Sequence, residues 1–297
     1  MNNKLINMIN INFNDFKVRC SAISVAEAES KSSPSITEKQ LERLKELDDK
    51  ENITQKQKEE LALLKLKQEG SKVVVLSDTY IGYLMEEYAW KTDQMLSVNK
   101  ELDTHQINKG KDVEKDAVTL LCVVDGIQYS YNELKIRVEN DYLSGEVDCW
   151  EGKSIMEANI IGDIKNVWDY VGYLKKIKLP LSIANDKQVK GYLKITGATK
   201  GFIADCLLDT PEYIKLAIKQ KLLRKGAYIS EESPDFIFDW SMYERSMTFS
   251  DKFSPQKRVN KKPVEPMNEF QTNFLYDQVK RGRDFLNEFH ETRKNLQ

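Results

Sequence analysis

The chain has 297 residues, of which 40% are hydrophobic and 9% aromatic, enough apolar material to exclude a disordered chain. Its length leaves room for one large domain or two closely joined ones. The 45 Lys and Arg residues nearly balance the 47 Asp and Glu residues, so the formal net charge is −2. Because polyanion-binding proteins usually carry a basic excess, any contact with nucleic acid must come from a local patch.

The sequence lacks the features of a membrane or secreted protein. No apolar run approaches the roughly 20 residues that span a bilayer. The segment that begins at Met1 has neither a long apolar stretch nor a small-residue cleavage site. We therefore expect a cytoplasmic globular protein without membrane contact.

Cysteine and histidine are too few and too scattered for most metal or nucleophilic sites. The four cysteines are Cys20, Cys122, Cys149 and Cys206. They form no Cys-x-x-Cys pair, so we expect isolated buried thiols, no zinc site and no iron–sulfur cluster. His105 and His290 are the only histidines, which indicates that any chemistry depends on carboxylates and lysine.

Residues 35–69 predict a charged αα-hairpin. Ser35 with Glu38, and Thr54 with Gln57, have the spacing of a capping box ahead of leucines at helical intervals. Charges of both signs separate the leucines, as expected for a solvent-exposed helix pair. The leading interpretation of the hairpin is a solvated helical excursion without chemistry.

The rest of the chain predicts helices and strands in alternation. Helices are expected after Ser77 and over residues 109–124, 185–195, 211–225 (with Pro211 at the first helical position) and 267–294. Strands are expected over residues 127–131, 134–138, 142–150, 158–167 and 201–208. A basic, proline-punctuated loop is expected over residues 252–263. This order predicts an α/β core of mixed β-sheet flanked by helices, within an N-terminal segment (1–76), a core (77–230) and a C-terminal region (231–297).

Asp148 and Asp163 are the strongest chemical signal, because each lies in a short apolar run where an ionised group is costly unless paired or metal-bound. Two antiparallel strands joined around Gly152 would bring the two acids side by side. Residues two apart on a strand share a face, so Lys165 projects with Asp163. Two carboxylates and one ammonium suit Mg²⁺, with open positions for water and phosphate. An acid-x-Lys pair on a strand is also common without any catalytic role.

Three further residues extend this pattern in chain order. Glu114 lies on the helix before the strands, and Gln188 and Tyr192 share one face of a later helix. Each of the three is, taken singly, an ordinary surface or capping residue. The ordered motifs are the helical Glu114, Gly145-Glu-Val-Asp148, Asp163-Ile-Lys165 and Gln188-x-x-x-Tyr192. Together they resemble the PD-(D/E)xK nuclease superfamily, in its RecB-like and phage lambda-exonuclease-like branch.

The resemblance runs from about residue 19 onward. It includes Thr37 to Gln40, Asn166-Val-Trp168-Asp169, Gly191 to Gly197, Ala204 to Pro211 and Met242 to Arg245, which are similar to stretches of nucleases encoded in phage genomes. The resemblance implies a restriction-endonuclease-like α/β fold with an N-terminal helical hairpin and a long C-terminal helix. Asn166 departs from the small hydroxyl residue that usually follows the lysine, which bears on substrate handling more than on hydrolysis.

The family pattern also implies roles for the site residues. Mg²⁺, with Mn²⁺ as a substitute, would be held by the carboxylates of Asp148 and Asp163, the carbonyl of Ile164 and Glu114. Lys165 would orient the attacking water. Gln188 would support that lysine or the phosphate, and Tyr192 would brace the site.

Two groups of residues are candidates for DNA binding. The resemblance to exonucleases of the phage lambda type implies that Arg19, Ser21 and Ser24 bind a terminal 5′ phosphate, and a solvated arginine beside turn serines is the alternative. Lys257, Arg258, Lys261 and Lys262 are the candidates for lining a DNA channel, and a solvated linker is the alternative.

The resemblance implies a metal-dependent deoxyribonuclease that acts in phage recombination or DNA processing. An exonuclease on linear duplex DNA fits the resemblance better than an endonuclease does. Its implied partners are DNA, further copies of the chain in a ring, and a phage annealing or single-strand-binding protein. The alternative is a catalytically silent DNA-binding or assembly protein that retains the nuclease fold.

Overall fold

The computed structural model of the chain describes residues 11–28, 38–50, 54–65 (except 55, 59 and 63), 76–95, 104–226 and 228–295. The chain divides into two compact units. One, here called the helical unit, comprises residues 1–14, 25–96 and 277–297. The other, here called the sheet unit, comprises residues 15–24 and 97–276. Each unit therefore joins segments that are distant in the sequence.

Helices and strands alternate as predicted, but the helices Tyr170–Lys178 and Pro234–Arg245 lie where the sequence pattern predicted none. The α-helices are α1 (Ile23–Ala26), α2 (Glu38–Asp48), α3 (Asp78–Asp93), α4 (His105–Asp112), α5 (Glu114–Asp125), α6 (Tyr170–Lys178), α7 (Ile183–Thr196), α8 (Glu212–Lys225), α9 (Pro234–Arg245) and α10 (Glu269–Asn295). The strands are β1 (Val18–Arg19), β2 (Ser130–Tyr131), β3 (Val138–Glu139), β4 (Leu143–Gly145), β5 (Cys149–Gly152), β6 (Ala158–Asn166), β7 (Lys200–Cys206) and β8 (Val259–Val264). Residues 56–58, 60–62 and 64–65 are also helical. Within the described part of the chain, no helix is both long enough and apolar enough to cross a membrane.

The predicted αα-hairpin is confirmed over the described residues of the helical unit. Leu44 and Leu47 of α2 pack against Leu64 of the following helical stretch. The second capping box is present, because the backbone N–H of Thr54 donates to Gln57 Oε1 at 3.0 Å and the N–H of Gln57 donates to Thr54 Oγ1 at 3.4 Å. Ser35, which begins the first capping box, lies outside the described residues.

Helix α3 begins after Ser77 as predicted, and the Ser77 side chain caps it by accepting a hydrogen bond from the backbone N–H of Tyr80. The core of the helical unit is aromatic. Phe13 and Tyr88 stack with their ring centroids 5.3 Å apart, and the Tyr88 hydroxyl lies 2.9 Å from Nδ1 of His290. His290 is 1% exposed, so one of the two histidines is a hydrogen-bonded core residue.

A five-stranded mixed sheet in the order β2-β5-β6-β7-β8 forms the centre of the sheet unit. Strand β6 runs parallel to β7 and antiparallel to β5. Helix α5 packs on one face of the sheet, where Ile164 of β6 joins its buried apolar residues. Asp163 and Lys165 alternate with Ile164 along β6, so they project from the opposite face. This alternation separates the core from the polar site.

The helix predicted over 109–124 is two helices, α4 and α5, which meet at Val113. Val113 has φ −98° and ψ 7°, outside the helical region, and its side chain is buried in the core beside α5. The chain turns here so that α5 can lie on the sheet. Helix α5 ends at Gly126, whose φ of +66° is left-handed.

The single strand predicted over 142–150 is also divided. Strand β4 belongs to a small second sheet, in the order β1-β4-β3, whereas β5 belongs to the five-stranded sheet. Residues 146–148 are the crossover between the two sheets. The strands predicted over 127–131 and 134–138 shrink to β2 and β3, which have two residues each.

The basic stretch 252–263, predicted to be a loop, is only partly one. It contains a 3₁₀ turn, Pro255–Lys257, and most of strand β8, which pairs antiparallel with β7 at the edge of the sheet. An edge strand tolerates lysines and Pro263, because one of its sides needs no ladder hydrogen bonds. A smaller correction applies to Pro211, which is the N-cap of α8 rather than its first helical residue.

The four cysteines are free thiols. Cys20, Cys149 and Cys206 are buried, as expected, and Cys122 is half-buried. Burial raises the pKa of Cys206 to about 12 and that of Cys149 well above its ordinary value. These two thiols are therefore protonated at neutral pH and behave as small apolar side chains.

Candidate active site

An open cleft of about 820 Å³ in the sheet unit collects most of the predicted site residues. The predicted residues that line it are Arg19, Ser21, Glu114, Asp148, Asp163, Ile164, Lys165, Gln188 and Tyr192. Ser24 lies in α1 and does not line the cleft, and neither do the four basic residues between 257 and 262. The cleft is therefore built from chain segments as far apart as β1 and α7.

Asp148 lies in the bend immediately before β5, rather than within a strand. Its Oδ2 accepts a hydrogen bond of 2.7 Å from the backbone N–H of Ile164. This bond joins the start of β5 to β6 and places Asp148 beside Asp163, as the antiparallel pairing predicted. Burial, followed by repulsion from Asp163 and Glu114, raises the pKa of Asp148 well above its ordinary value.

Asp163 and Lys165 share a face of β6 as predicted, and Lys165 Nζ lies 2.8 Å from Asp163 Oδ2. Asp163 is 1% exposed, and burial raises its pKa although the charge of Lys165 lowers it. Burial by itself would lower the pKa of Lys165, but Asp163, Asp148 and Glu114 outweigh burial and raise it. Lys165 is therefore an ammonium group held between acids.

Helix α7 contributes Gln188 and Tyr192 to the lining of the cleft. Ser182 caps this helix, and Gly197, with a φ of +77°, ends it. Lys165 Nζ donates to Gln188 Oε1 at 3.4 Å, and Gln188 Nε2 donates to the Tyr192 hydroxyl at 2.8 Å. The predicted i,i+4 pair thus forms a chain of hydrogen bonds that ends on the lysine.

Gly145 allows this arrangement because, without a Cβ atom, its backbone can lie against the Tyr192 ring. A Cβ placed on Gly145 would lie 2.5 Å from Cε1 of Tyr192 and 3.0 Å from Sγ of Cys20. Tyr192 is 4% exposed, so its ring has little room to move. The sequence motif contains this glycine, but only the packing shows that its neighbour is the aromatic ring of the same site.

We expect Gly145→Ala to destabilise the protein by about 1–3 kcal/mol, because the added methyl group overpacks against the Tyr192 ring. Urea unfolding followed by circular dichroism measures this change. Gly82→Ala in α3 is the matched control, since its Cβ meets nothing within 4 Å, and it should be neutral or slightly stabilising. Equal stability of Gly145→Ala and the wild type would contradict the packing argument.

Glu114 is the first residue of α5 and lines the cleft, but its carboxylate is engaged. Lys135 Nζ donates to both of its oxygens, at 2.8 and 2.7 Å. Among the described residues, no group of three or more His, Cys, Asp and Glu side chains is arranged to hold a metal ion. The adjoining acids of the cleft are therefore Asp148 and Asp163, with Glu114 held at its edge by a lysine.

Lys109 is a buried residue beside the site, and the sequence did not indicate its role. It is 1% exposed, and its Nζ donates to the backbone carbonyls of Val167 at 3.1 Å and Trp168 at 3.0 Å. Nearby, Asn166 Nδ2 donates to the carbonyl of Gly110 at 2.8 Å. These bonds fasten α4 to the end of β6, directly after Lys165. A lysine in a polar helix carries no sequence signal for this role.

Burial lowers the pKa of Lys109 to about 8. The unfolded chain then binds more protons than the folded protein between about pH 8 and the ordinary lysine value of about 10.4, so this residue makes stability rise with pH in that window. Between about pH 8 and pH 10.4, we expect the free energy of unfolding of the wild type to rise by about 3 kcal/mol relative to that of Lys109→Met. Urea titrations of both proteins at several pH values measure the difference. A constant difference would contradict a depressed pKa.

Two of the four basic residues expected to line a DNA channel, Lys261 and Lys262, make other contacts. Lys261 lies over the Phe202 ring, 4.0 Å from its centroid, and pairs with Asp125. Lys262 donates to the backbone carbonyls of Lys176 and Leu179. The cleft has basic residues of its own, namely Arg19, Lys111, Arg137, Lys165 and Lys176. These are spread over the sequence, so no local charge cluster revealed them.

The mixed sheet and its flanking helices form a fold that solved exonucleases share. The chain is similar in structure to a phage-related exonuclease from Haemophilus somnus 129PT, with 17% identity and a TM-score of 0.57 over 94% of this chain and 96% of that one. It is also similar to an alkaline exonuclease from Laribacter hongkongensis, with 9% identity and a TM-score of 0.50 over 95% and 94% of the two chains. The same exonuclease in complex with dAMP gives 9% identity and a TM-score of 0.51 over 94% and 92%.

No protein-family model matches the sequence, and no curated protein matches it. At these identities the structural likeness establishes the fold. The predicted α/β nuclease fold, with its helical hairpin and long C-terminal helix, is confirmed.

Proposed function

We propose that the protein is a metal-dependent deoxyribonuclease, and specifically an exonuclease that hydrolyses phosphodiester bonds of linear duplex DNA in phage recombination or DNA processing. The observation that carries the proposal is the pair of adjoining carboxyl groups, Asp148 and Asp163, beside Lys165 in an open cleft whose lining also includes Arg19 and Lys111. The fold supports it, since both similar proteins are exonucleases by name and one was crystallised with dAMP.

The donor set fits a divalent cation. Asp163 Oδ2 is buried and has no hydrogen-bond partner apart from its ion-pair contact with Lys165. Asp163 also raises the pKa of Asp148, a repulsion that a cation between them would relieve. Mg²⁺ is commonly bound by one or two carboxylates, with water and substrate phosphate as its other ligands.

We assign Asp148 and Asp163 as the residues that would hold Mg²⁺ or Mn²⁺, with the Ile164 carbonyl as a further ligand. Glu114 would position water at the edge of the cleft. The cation, when bound, supplies Lewis-acid stabilisation of the negative charge that develops on the phosphate.

The remaining residues act on the substrate and the attacking water. Lys165, held by Asp163 on one side and Gln188 on the other, would donate an N–H to the water or to a phosphate oxygen and so orient attack. Tyr192 fixes the amide of Gln188. Arg19 and Ser21, which line the same cleft, would bind a phosphate of the substrate strand.

A specific observation favours a second candidate function. Both oxygens of Glu114 are bound by Lys135, so the third carboxylate of the predicted set faces a lysine. A catalytically silent DNA-binding or assembly protein would retain the fold and the cleft in this form. It would bind DNA and cation but release no nucleotides.

Release of acid-soluble nucleotides from linear and closed circular duplex DNA, with Mg²⁺, Mn²⁺ or EDTA, tests the proposal. We expect digestion of the linear form only, dependent on the cation. The circular DNA, cut once to make it linear, is the matched substrate control and should become sensitive. Digestion of the closed circle would indicate an endonuclease, and no digestion of either form by folded, cation-binding protein would favour the silent alternative.

The proposal includes further copies of the chain as partners, in a ring around the DNA, and a phage annealing or single-strand-binding protein. Light scattering of the purified protein measures the first of these. A mass equal to one chain at all concentrations would contradict the ring.

A further inference from the structure

A second cavity, of about 700 Å³, lies in the sheet unit behind one wall of the candidate active site. It is formed where α4, α8 and α9 meet the segment that follows β6. Trp168 lines both this cavity and the cleft. The other apolar lining includes Leu222 and the half-exposed ring of Tyr243.

Trp168 is held in place as the common wall. Lys109 Nζ donates to its backbone carbonyl at 3.0 Å and lies 5.7 Å from its ring centroid. The next residue, Asp169, caps α6 by accepting the N–H of Gly172 at 2.6 Å. The indole therefore presents a fixed, half-buried face, which is a surface on which a base can stack at a low entropic cost.

The charge of the cavity favours a polyanion. On α8, Lys215 pairs with Glu212 and Lys219 pairs with Glu231. Lys221 and Lys225, one helical turn apart on the same face, line the cavity and form no ion pair with any described residue. The carboxylate of Asp169, the acid of the lining, is used as a helix cap. The lining therefore carries two lysine ammonium groups against one carboxylate, a net positive charge beside an aromatic wall.

We propose that this cavity binds a segment of single-stranded DNA, with an unpaired base against Trp168 and phosphates at Lys221 and Lys225. An unpaired base can enter a cavity and reach an aromatic face, whereas a base stacked within a duplex cannot. The inference rests on the proposed function, because an exonuclease that digests one strand of a duplex leaves the other unpaired next to the cleft. Trp168, which lines both spaces, is the point at which that strand would enter the cavity.

Fluorescence anisotropy of a labelled single-stranded oligonucleotide, in EDTA and at several salt concentrations, tests the site. Lys221→Ala/Lys225→Ala should weaken binding at least about fivefold and reduce the slope of log Kd against log salt by about 1.4, since each phosphate contact contributes about 0.7. Trp168→Ala should weaken binding about tenfold, and Trp168→Phe should restore most of it. Lys194→Ala/Lys200→Ala is the matched charge control. It removes two exposed lysines that line neither the cleft nor the second cavity.

Unchanged affinity and salt slope in Lys221→Ala/Lys225→Ala would overturn the inference, and so would an equal loss in Lys194→Ala/Lys200→Ala. Binding of free dAMP without binding of the strand would also overturn it. The measurement needs no hydrolysis, so its outcome is separate from that of the nuclease assay. Strand binding that depends on Lys221 and Lys225 in a protein that releases no nucleotides would leave this site standing and remove only the proposed activity.

Discussion

Lys165→Ala is expected to lower the rate of DNA hydrolysis by about 10²- to 10⁴-fold, the usual loss when a single positioned donor or acid–base group is removed. Lys165 is the cation between Asp163 and the Gln188–Tyr192 pair, at 2.8 Å and 3.4 Å from its two partners. Its raised pKa keeps it protonated at neutral pH. Its loss would therefore remove an N–H donor rather than a base, and raising the pH should not restore the rate.

Single-turnover release of nucleotides from linear duplex DNA measures this loss. Asp163→Ala should be at least as inactive, because it removes a carboxylate assigned to the cation. Lys194→Ala, at an exposed position of the same helix as Gln188, is the matched control and should keep the wild-type rate. A folded Lys165→Ala protein that hydrolyses DNA at the wild-type rate would remove Lys165 from the mechanism.

Asp148→Asn is expected to be inactive but more stable than the wild type when the protein is free of metal. The pKa of Asp148 is raised by burial and by the neighbouring Asp163, so the folded protein retains a proton that the unfolded chain loses above about pH 3.9. Stability of the wild type then falls as pH rises through that window. The amide oxygen of asparagine can still accept the Ile164 N–H, so the variant loses the charge and keeps the bond.

We expect the variant and the wild type to have similar free energies of unfolding at pH 4, and the variant to become the more stable of the two as the pH rises to neutral. Urea unfolding in EDTA measures this difference. Asp251→Asn, at an exposed turn, is the matched control and should show no change. A variant that is less stable than the wild type at pH 7 would contradict the repulsion between the two acids.

The same variant tests the cation site without any assay of activity. Mg²⁺ at one hundred times its dissociation constant should stabilise the wild type by about 2.7 kcal/mol. Asp148→Asn should lose most of this gain, because one of the two assigned carboxylates is replaced. Equal stabilisation of both proteins by Mg²⁺ would place the cation elsewhere.

Features set by local backbone geometry followed from the sequence. Asp163 and Lys165 share a face because strand side chains alternate, and Gln188 reaches Tyr192 because residues four apart are neighbours on a helix. The N-cap at Ser77 and the capping box at Thr54 have the same local origin. The motif order then placed the two acids on adjacent segments, and the β5–β6 pairing bears this out.

The tertiary structure decided the features that depend on partners distant in the chain. Glu114 is bound by Lys135, which is 21 residues away, and Lys109 is buried beneath Trp168, which is 59 residues away. The strand at 259–264 forms only because β7 offers an edge, since its lysines and proline give no strand signal of their own. Sequence periodicity encodes which face of an element is apolar, whereas the identity of the partner on that face is settled only by packing of the whole unit.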